Sequence, residues 1–148
     1  MIILTLQIVN SSCCYIPSKK KFVQWIKKIF LENKNFFITV RIVNKREIQK
    51  LNLKYRKINK PTNVLSFPYN IELNYNETFI GDLVLCSEII FEESKKLNVT
   101  ILSHWAHISI HGILHLIGYT HDNEINHKKM KNIESKIMID LGYKNPYK

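Results

Sequence analysis

Nineteen residues, His104 to Asp122, constrain this chain more than any other stretch; they read HWAHISIHGILHLIGYTHD and hold five of its six histidines. Four of these, His104, His107, His111 and His115, are spaced three, four and four apart. With 3.6 residues per turn, that spacing sets them on one face of a helix as a single imidazole stripe. The residues between them (Trp105, Ile108, Ile110, Ile113, Leu114, Leu116, Ile117) are apolar, so the helix, predicted over about 101–117, should lie deep in the fold. Gly118 is expected to end it, because a helix stop needs a left-handed residue. The chain then doubles back and presents His121.

This spacing points to a metal. His111 and His115 lie one turn apart, so both rings reach one ion at the about 2.0–2.1 Å that zinc–nitrogen bonds require. A third donor on the same face would crowd them, and Gly118 with His121 supplies a turn and a ligand from beyond it. The resulting H-x-x-x-H-x-x-G-x-x-H pattern is that of zincin-type helices, the metzincin metalloproteases in particular, apart from one position. Those enzymes carry a glutamate general base after the first histidine, where this chain has Gly112. Three neutral imidazoles leave a fourth position for water, the pattern of a catalytic site holding one Zn2+. His104 and His107 either line that cleft, stand behind the ligands, or are ordinary buried histidines. His127 lies in a lysine-rich helical stretch and should be solvated.

A chain of 148 residues suits one domain, 1–148, and is short for two. Short strands among helices, with three helices in succession at the end, predict an α+β fold with one small mixed sheet of about four strands and about five helices. The strands are predicted at 2–9, Phe36–Val43, Val64–Phe67 (closed by Pro68) and Phe79–Cys86, with Asn70–Glu77 a polar loop. Ser18 should cap a first helix whose face is Phe22, Trp25, Ile26, Ile29 and Phe30. Asn44, with Glu47 completing a capping box, should open a second, whose inward stripe is Ile48, Leu51 and Tyr55. Ser87–Leu97 and Asn123–Leu141 are the remaining helices, the latter with a core face of Met130, Ile133, Ile137 and Leu141. Asp82 sits in an otherwise apolar strand, where it would orient a histidine, pin a loop or meet a protein partner.

The balance of 22 basic against 12 acidic residues gives +10, which favours a polyanionic partner. Lysine, asparagine and isoleucine abound throughout, as A- and T-rich codon usage would also produce, so charge alone does not select RNA. Three cysteines, Cys13, Cys14 and Cys86, form neither a disulfide framework nor a C-x-x-C site, which suits a reducing cytoplasm. The opening MIILTLQIV lacks a basic leader, and no apolar run reaches the roughly 18–20 residues of a membrane span, so a soluble protein is expected.

HGILHLIGYTH resembles the signature of the YbeY family of zinc-dependent ribosomal RNA maturation endoribonucleases, usually H-G-x-L-H-L-x-G-Y-D-H. Leu51-Asn52, Tyr55-Arg56 and the run Lys60-Pro61-Thr62-Asn63-Val64-Leu65-Ser66-Phe67-Pro68 resemble that family's second signature, and Gly81-Asp82 and Leu141-Gly142-Tyr143 also match. Thr120 and Asn59 stand where the family usually has aspartates; Asp122, one place beyond the third histidine, offers a carboxylate in place of the first. The resemblance implies a single-strand-selective, metal-dependent endoribonuclease of small-subunit ribosomal RNA maturation and ribosome quality control, partnered by ribosomal RNA and the small ribosomal subunit or its proteins. It implies His111, His115 and His121 as ligands and Arg56 as the functional arginine. A guanidinium, planar and always charged, matches the charge that builds on phosphoryl oxygens during cleavage. Lys57 and Lys60 would contact neighbouring phosphates, with Asp82, His107 and Asp122 supporting ligands or meeting partners. Two other readings remain open on the residues alone: a metallopeptidase, and a ribosome-assembly factor with a structural zinc.

Overall fold

In the computed structural model, which describes residues 1–9 and 14–148, the chain runs β1 (Ile2–Ile8), α1 (Lys19–Lys27), β2 (Asn35–Val43), α2 (Lys45–Arg56), β3 (Val64–Asn74), β4 (Glu77–Cys86), α3 (Ser87–Lys96), α4 (Ile101–Leu116) and α5 (Glu124–Asp140). Cys13 and part of the connection after β1 lie outside the described residues. The sheet order is β1-β2-β4-β3, with β1/β2 and β2/β4 parallel and β3/β4 antiparallel. This is the expected α+β class, with a mixed four-stranded sheet and five helices among the described residues.

Alternation sends the two faces of the sheet to different partners. Leu4, Ile38, Val40, Ile42, Leu83 and Leu85 face a core completed by Phe22, Trp25 and Ile26 of α1, Trp105 and Ile113 of α4, and Met130 and Met138 of α5. Val43, Leu65, Val84 and Cys86 face the other way, under Ile48 and Leu51 of α2. α4 is the innermost helix, packed on β3 and β4 and flanked by α1, α3 and α5. Ile110, Ile113, Leu114 and Leu116 are all buried, each worth about 1.5–3 kcal/mol. That far exceeds the tenths of a kcal/mol by which helix propensities differ, so packing makes this helix.

Two glycines let α4 lie flush on the sheet. A Cβ on Gly112 would stand 2.4 Å from Cδ1 of Leu83 and 3.0 Å from Cγ2 of Val64. One on Gly81, whose φ is +151°, would stand 2.3 Å from the Phe67 carbonyl oxygen and 3.1 Å from Leu116. Close approach lets β3 clip the helix: Ser66 Oγ donates to the Gly112 carbonyl (2.9 Å), and Asn70 Nδ2 to that of Leu116 (3.1 Å).

Four local expectations are corrected. Residues 70–77 are not a loop but the two arms of a hairpin, β3 continuing to Asn74 and β4 starting at Glu77. Pro68 does not close β3, because β3 is an edge strand and an edge tolerates a residue without an N–H. The ladder accommodates it with register shifts between Pro68 and Ile71 and between Glu72 and Asn74. The arm is polar because it projects into solvent, leaving Ile71 and Leu73 exposed. Tyr55 is 56 % exposed and not inward-facing; its ring meets the edge of Phe67 at 5.1 Å and carries Lys54 Nζ 5.2 Å from its centre. The Asn44 cap forms (to Glu47 N, 2.9 Å), but Glu47 turns its carboxylate to Arg41 (2.7 Å), so the box has one half.

Candidate metal centre

α4 is buried around most of its circumference, and its half-buried residues include His107, His111 and His115. Thr100 caps its start by accepting from Ser103 N. Gly118, at φ +103°, ends it as expected, and Tyr119 N closes back on the Leu114 carbonyl (3.0 Å). The turn delivers exposed His121 beside the other two rings, with centroids 5.8 Å from His111 and 4.8 Å from His115. One ring nitrogen from each of His111, His115 and His121 lies within 4.8 Å of the others.

The hydrogen bonds show which nitrogens are available. His115 Nδ1 meets the Tyr119 carbonyl at 3.0 Å, and a carbonyl only accepts, so the proton is on Nδ1. His111 Nδ1 faces Glu134 Oε2 at 3.2 Å. Burial pushes the Glu134 carboxyl up, but hydrogen bonds from His107 and His111 outweigh it and hold the group at about 2, so it too only accepts. Both Nε2 lone pairs then face each other across 3.1 Å. That is close to the about 3.3 Å separating two ligands of a tetrahedral zinc with 2.0–2.1 Å bonds. Two bare lone pairs repel at this distance, and a cation between them removes the repulsion. Burial, reinforced by neighbouring His111 and His121, pushes the His115 imidazole below its ordinary value, which keeps it neutral near pH 7. The donor set fits a zinc-like ion.

Sequence reasoning missed Glu134. It is 1 % exposed on α5, and besides His111 it accepts from His107 Nε2 (2.7 Å) and the Tyr147 hydroxyl (2.8 Å). The signal was available: Glu134 falls among Met130, Ile133 and Ile137, a carboxylate on the face assigned to the core. His107 stands beside the histidine cluster, in contact with Glu134 and with Tyr147 Oη (3.2 Å). His104 is buried and bonded to Glu93 (2.9 Å), which also accepts from Asn63 Nδ2 (3.1 Å), tying α4 through α3 to the loop before β3. His127 is exposed, its ring 6.2 Å from that of His121.

Burial raises the Glu93 carboxyl, yet hydrogen bonds from His104 and Asn63 leave it below the ordinary carboxylate value. A depressed folded value stabilises above the unfolded value of about 4.3 and ceases to as pH falls through the folded one. Glu93→Gln should therefore cost stability at pH 7, with the difference from wild type shrinking below about pH 4.3. Denaturant titrations of both proteins across pH 7 to 3 test this; a difference that does not change with pH would sink it.

Other expected site residues fall elsewhere. Asp82 pairs with Thr39 and Phe67 on the sheet face that carries Val84 and Cys86, opposite α4, so it orients no histidine. It is half-buried, and its carboxylate has no hydrogen bond or ion pair among the described residues, so it pins no loop there. Asp122 is exposed and accepts from Thr120 Oγ1 (2.8 Å) and Asn126 Nδ2 (3.0 Å), bonds that hold its carboxyl below the ordinary range. It pins the turn and supports no histidine. Gly112 faces Leu83 and Val64 of the sheet.

Arg56, Lys57 and Lys60 are exposed. Lys57 ends α2 in the left-handed region (φ 62°), and Asn52 Nδ2 donates to the Lys60 carbonyl (2.8 Å), which shapes the loop between them. α2 and α4 cover opposite faces of the sheet, so β3, the edge strand, separates Arg56 from the histidines. Arg56 makes no hydrogen bond or ion pair among the described residues and does not touch the histidines.

Comparison with known proteins agrees with this architecture. A family model described as Endoribonuclease YbeY matches residues 9–142. Curated proteins of that name include one from Buchnera aphidicola subsp. Baizongia pistaciae, 49 % identical over 99 % of this chain and 96 % of its own length. Another, from Wigglesworthia glossinidia brevipalpis, is 48 % identical over 94 % of this chain and 95 % of its own. A solution structure of a Thermotoga maritima protein covers 95 % of this chain and 91 % of its own, with 25 % identity and a TM-score of 0.56. With a match spanning nearly all its length and relatives about half identical from end to end, the chain belongs to the endoribonuclease YbeY family.

Proposed function

We propose that this protein is a zinc-dependent endoribonuclease that cleaves single-stranded RNA in the maturation of small-subunit ribosomal RNA and in ribosome quality control. The observation that carries the reading is the convergence of His111, His115 and His121 with Nε2 of His111 and His115 unprotonated and facing each other, in a chain of this family. When bound, zinc supplies Lewis acidity toward a phosphoryl oxygen and brings the pKa of a water toward neutrality. The chain's own residues do the rest. His111 and His115 present fixed lone pairs, and His121 closes the set from the turn. Arg56, reaching around the β3 edge, neutralises charge on the phosphoryl oxygens, while Lys57 and Lys60 hold flanking phosphates. A cleft of about 430 Å³ lined by Gly118, Tyr119, Thr120, Asn126 and Lys129 adjoins the turn and gives the strand a path. The +10 charge favours a polyanion. The metallopeptidase reading lacks its base at Gly112, and the structural-zinc reading has, among the described residues, no fourth protein donor in the cluster. Among the described residues no helix is long and apolar enough to cross a membrane, which suits action on ribosomes in the cytoplasm.

Purified protein should cleave single-stranded RNA, lose the activity to a chelator and regain it with zinc. Arg56→Glu should lower cleavage by about 10²–10³-fold, the range for removing one transition-state charge donor. Its zinc content should equal that of wild type. RNA left intact by the zinc-loaded wild type would end this reading, and wild-type cleavage by Arg56→Glu would remove Arg56 from it.

A further inference from the structure

The ligand set has an asymmetry in what stands behind it. His115 is oriented by a backbone carbonyl, Tyr119 O, which no side-chain substitution removes. His111 is oriented by a side chain from a different helix, Glu134 of α5. A carboxylate buried to 1 % exposure is costly unless each oxygen is satisfied. Here Oε1 accepts from both His107 Nε2 and Tyr147 Oη, and Oε2 faces His111 Nδ1. With two donors on one oxygen, the carboxylate is locked in place and its other oxygen is aimed at a single ring nitrogen.

We infer that Glu134 is the positioning residue of the metal centre: its carboxylate keeps the His111 proton on Nδ1 and thereby leaves Nε2 bare toward the ion. The inference rests on the ligand assignment made above. An acceptor-only group opposite Nδ1 admits one neutral tautomer, whereas a group that also donates admits the other. Glutamine illustrates the difference. Its amide oxygen serves either the His107 and Tyr147 donors or His111, and its NH2 then faces the remaining side. Two donors against one draw the amide oxygen to His107 and Tyr147, so the NH2 faces His111, asks Nδ1 to accept and moves the ring proton to Nε2, where zinc should bind. Tyr147→Phe removes one donor from Oε1 but leaves the contact to His111, and so separates tautomer control from packing of the C-terminal segment.

Zinc affinity, measured by competition with a chromophoric chelator, is expected to fall about 10–100-fold in Glu134→Gln, the usual cost of losing a ligand's outer hydrogen bond. Tyr147→Phe should lose less affinity than Glu134→Gln, because the carboxylate still faces His111 Nδ1. Nitrogen-15 NMR of the imidazoles reads the cause directly: metal-free wild type should carry the His111 proton on Nδ1, and Glu134→Gln should move it toward Nε2. Wild-type affinity in a folded Glu134→Gln would overturn the inference. So would an Nε2–H His111 in the wild type, a measurement that stands even if the glutamine variant fails to fold. A wild type that binds no zinc would instead bring down the ligand assignment itself.

Discussion

His111→Ala should bind no zinc at the affinity of the wild type and should lose RNA cleavage by more than about 100-fold. The figure is a floor, because the hydrogen-bond partners of ligands alone account for about 10–100-fold, and a ligand itself contributes more. Two remaining imidazoles cannot hold a tetrahedral ion with one open corner. The fold should survive. The His111 side chain is 24 % exposed on a helix whose stability comes from its apolar faces, and alanine is the better helix former. The principal cost is Glu134 Oε2 left without its donor in a buried site, on the order of 1–3 kcal/mol. Zinc stoichiometry, cleavage of single-stranded RNA and a thermal melt measured together test this. Wild-type cleavage by the folded variant would remove the histidines from the chemistry.

Gly81→Ala should be the most destabilising single methyl addition in the sheet, by about 3–5 kcal/mol. Two effects add. The new Cβ would lie 2.3 Å from a backbone oxygen, that of Phe67, which cannot move without breaking its strand. Overpacking of this kind costs about 1–3 kcal/mol and sometimes more. The φ of +151° is one that only glycine adopts freely, and forcing alanine into it costs a further 1–3 kcal/mol on the order-of-magnitude scale. Against a typical total of about 5–15 kcal/mol this is a large share, and the midpoint of thermal unfolding should fall by roughly 10 °C or more. A midpoint within about two degrees of wild type would show that the β3–β4 ladder yields where the packing says it cannot.

Much of this could be read from the residues because helix periodicity and metal chemistry impose spacings. His111, His115, Gly118 and His121 were legible as one site because a turn of helix and a glycine stop leave little choice of geometry. The core face of α1 followed from the helical spacing of Phe22, Trp25, Ile26, Ile29 and Phe30 for the same reason. Residues 70–77 were misread because their polar residues were weighed above a period-two pattern that is present, Ile71, Leu73 and Tyr75 alternating with Asn70, Glu72, Asn74 and Asn76. Tyr55 was misplaced because helical spacing gives a direction but not the point at which a helix outruns the sheet beneath it. Asp82 was not resolvable between the two sides of the sheet, since facing depends on the bulge at Ile80, where β4 shifts its register against β2. Glu134 went unnoticed for a different reason. Its place on the core face of α5 was readable, but the partner it meets there is set by two helices packing together, which no spacing along one of them encodes.

Gly112 carries a lesson about what this scaffold is able to become. Metzincin-type helices and this one share their ligand spacing, and a single codon change at 112 would spell the protease motif. The side chain so created would enter Leu83 and Val64 rather than the metal cleft. Passage from one chemistry to the other would require lifting the helix off the strands beneath it, not merely exchanging a residue.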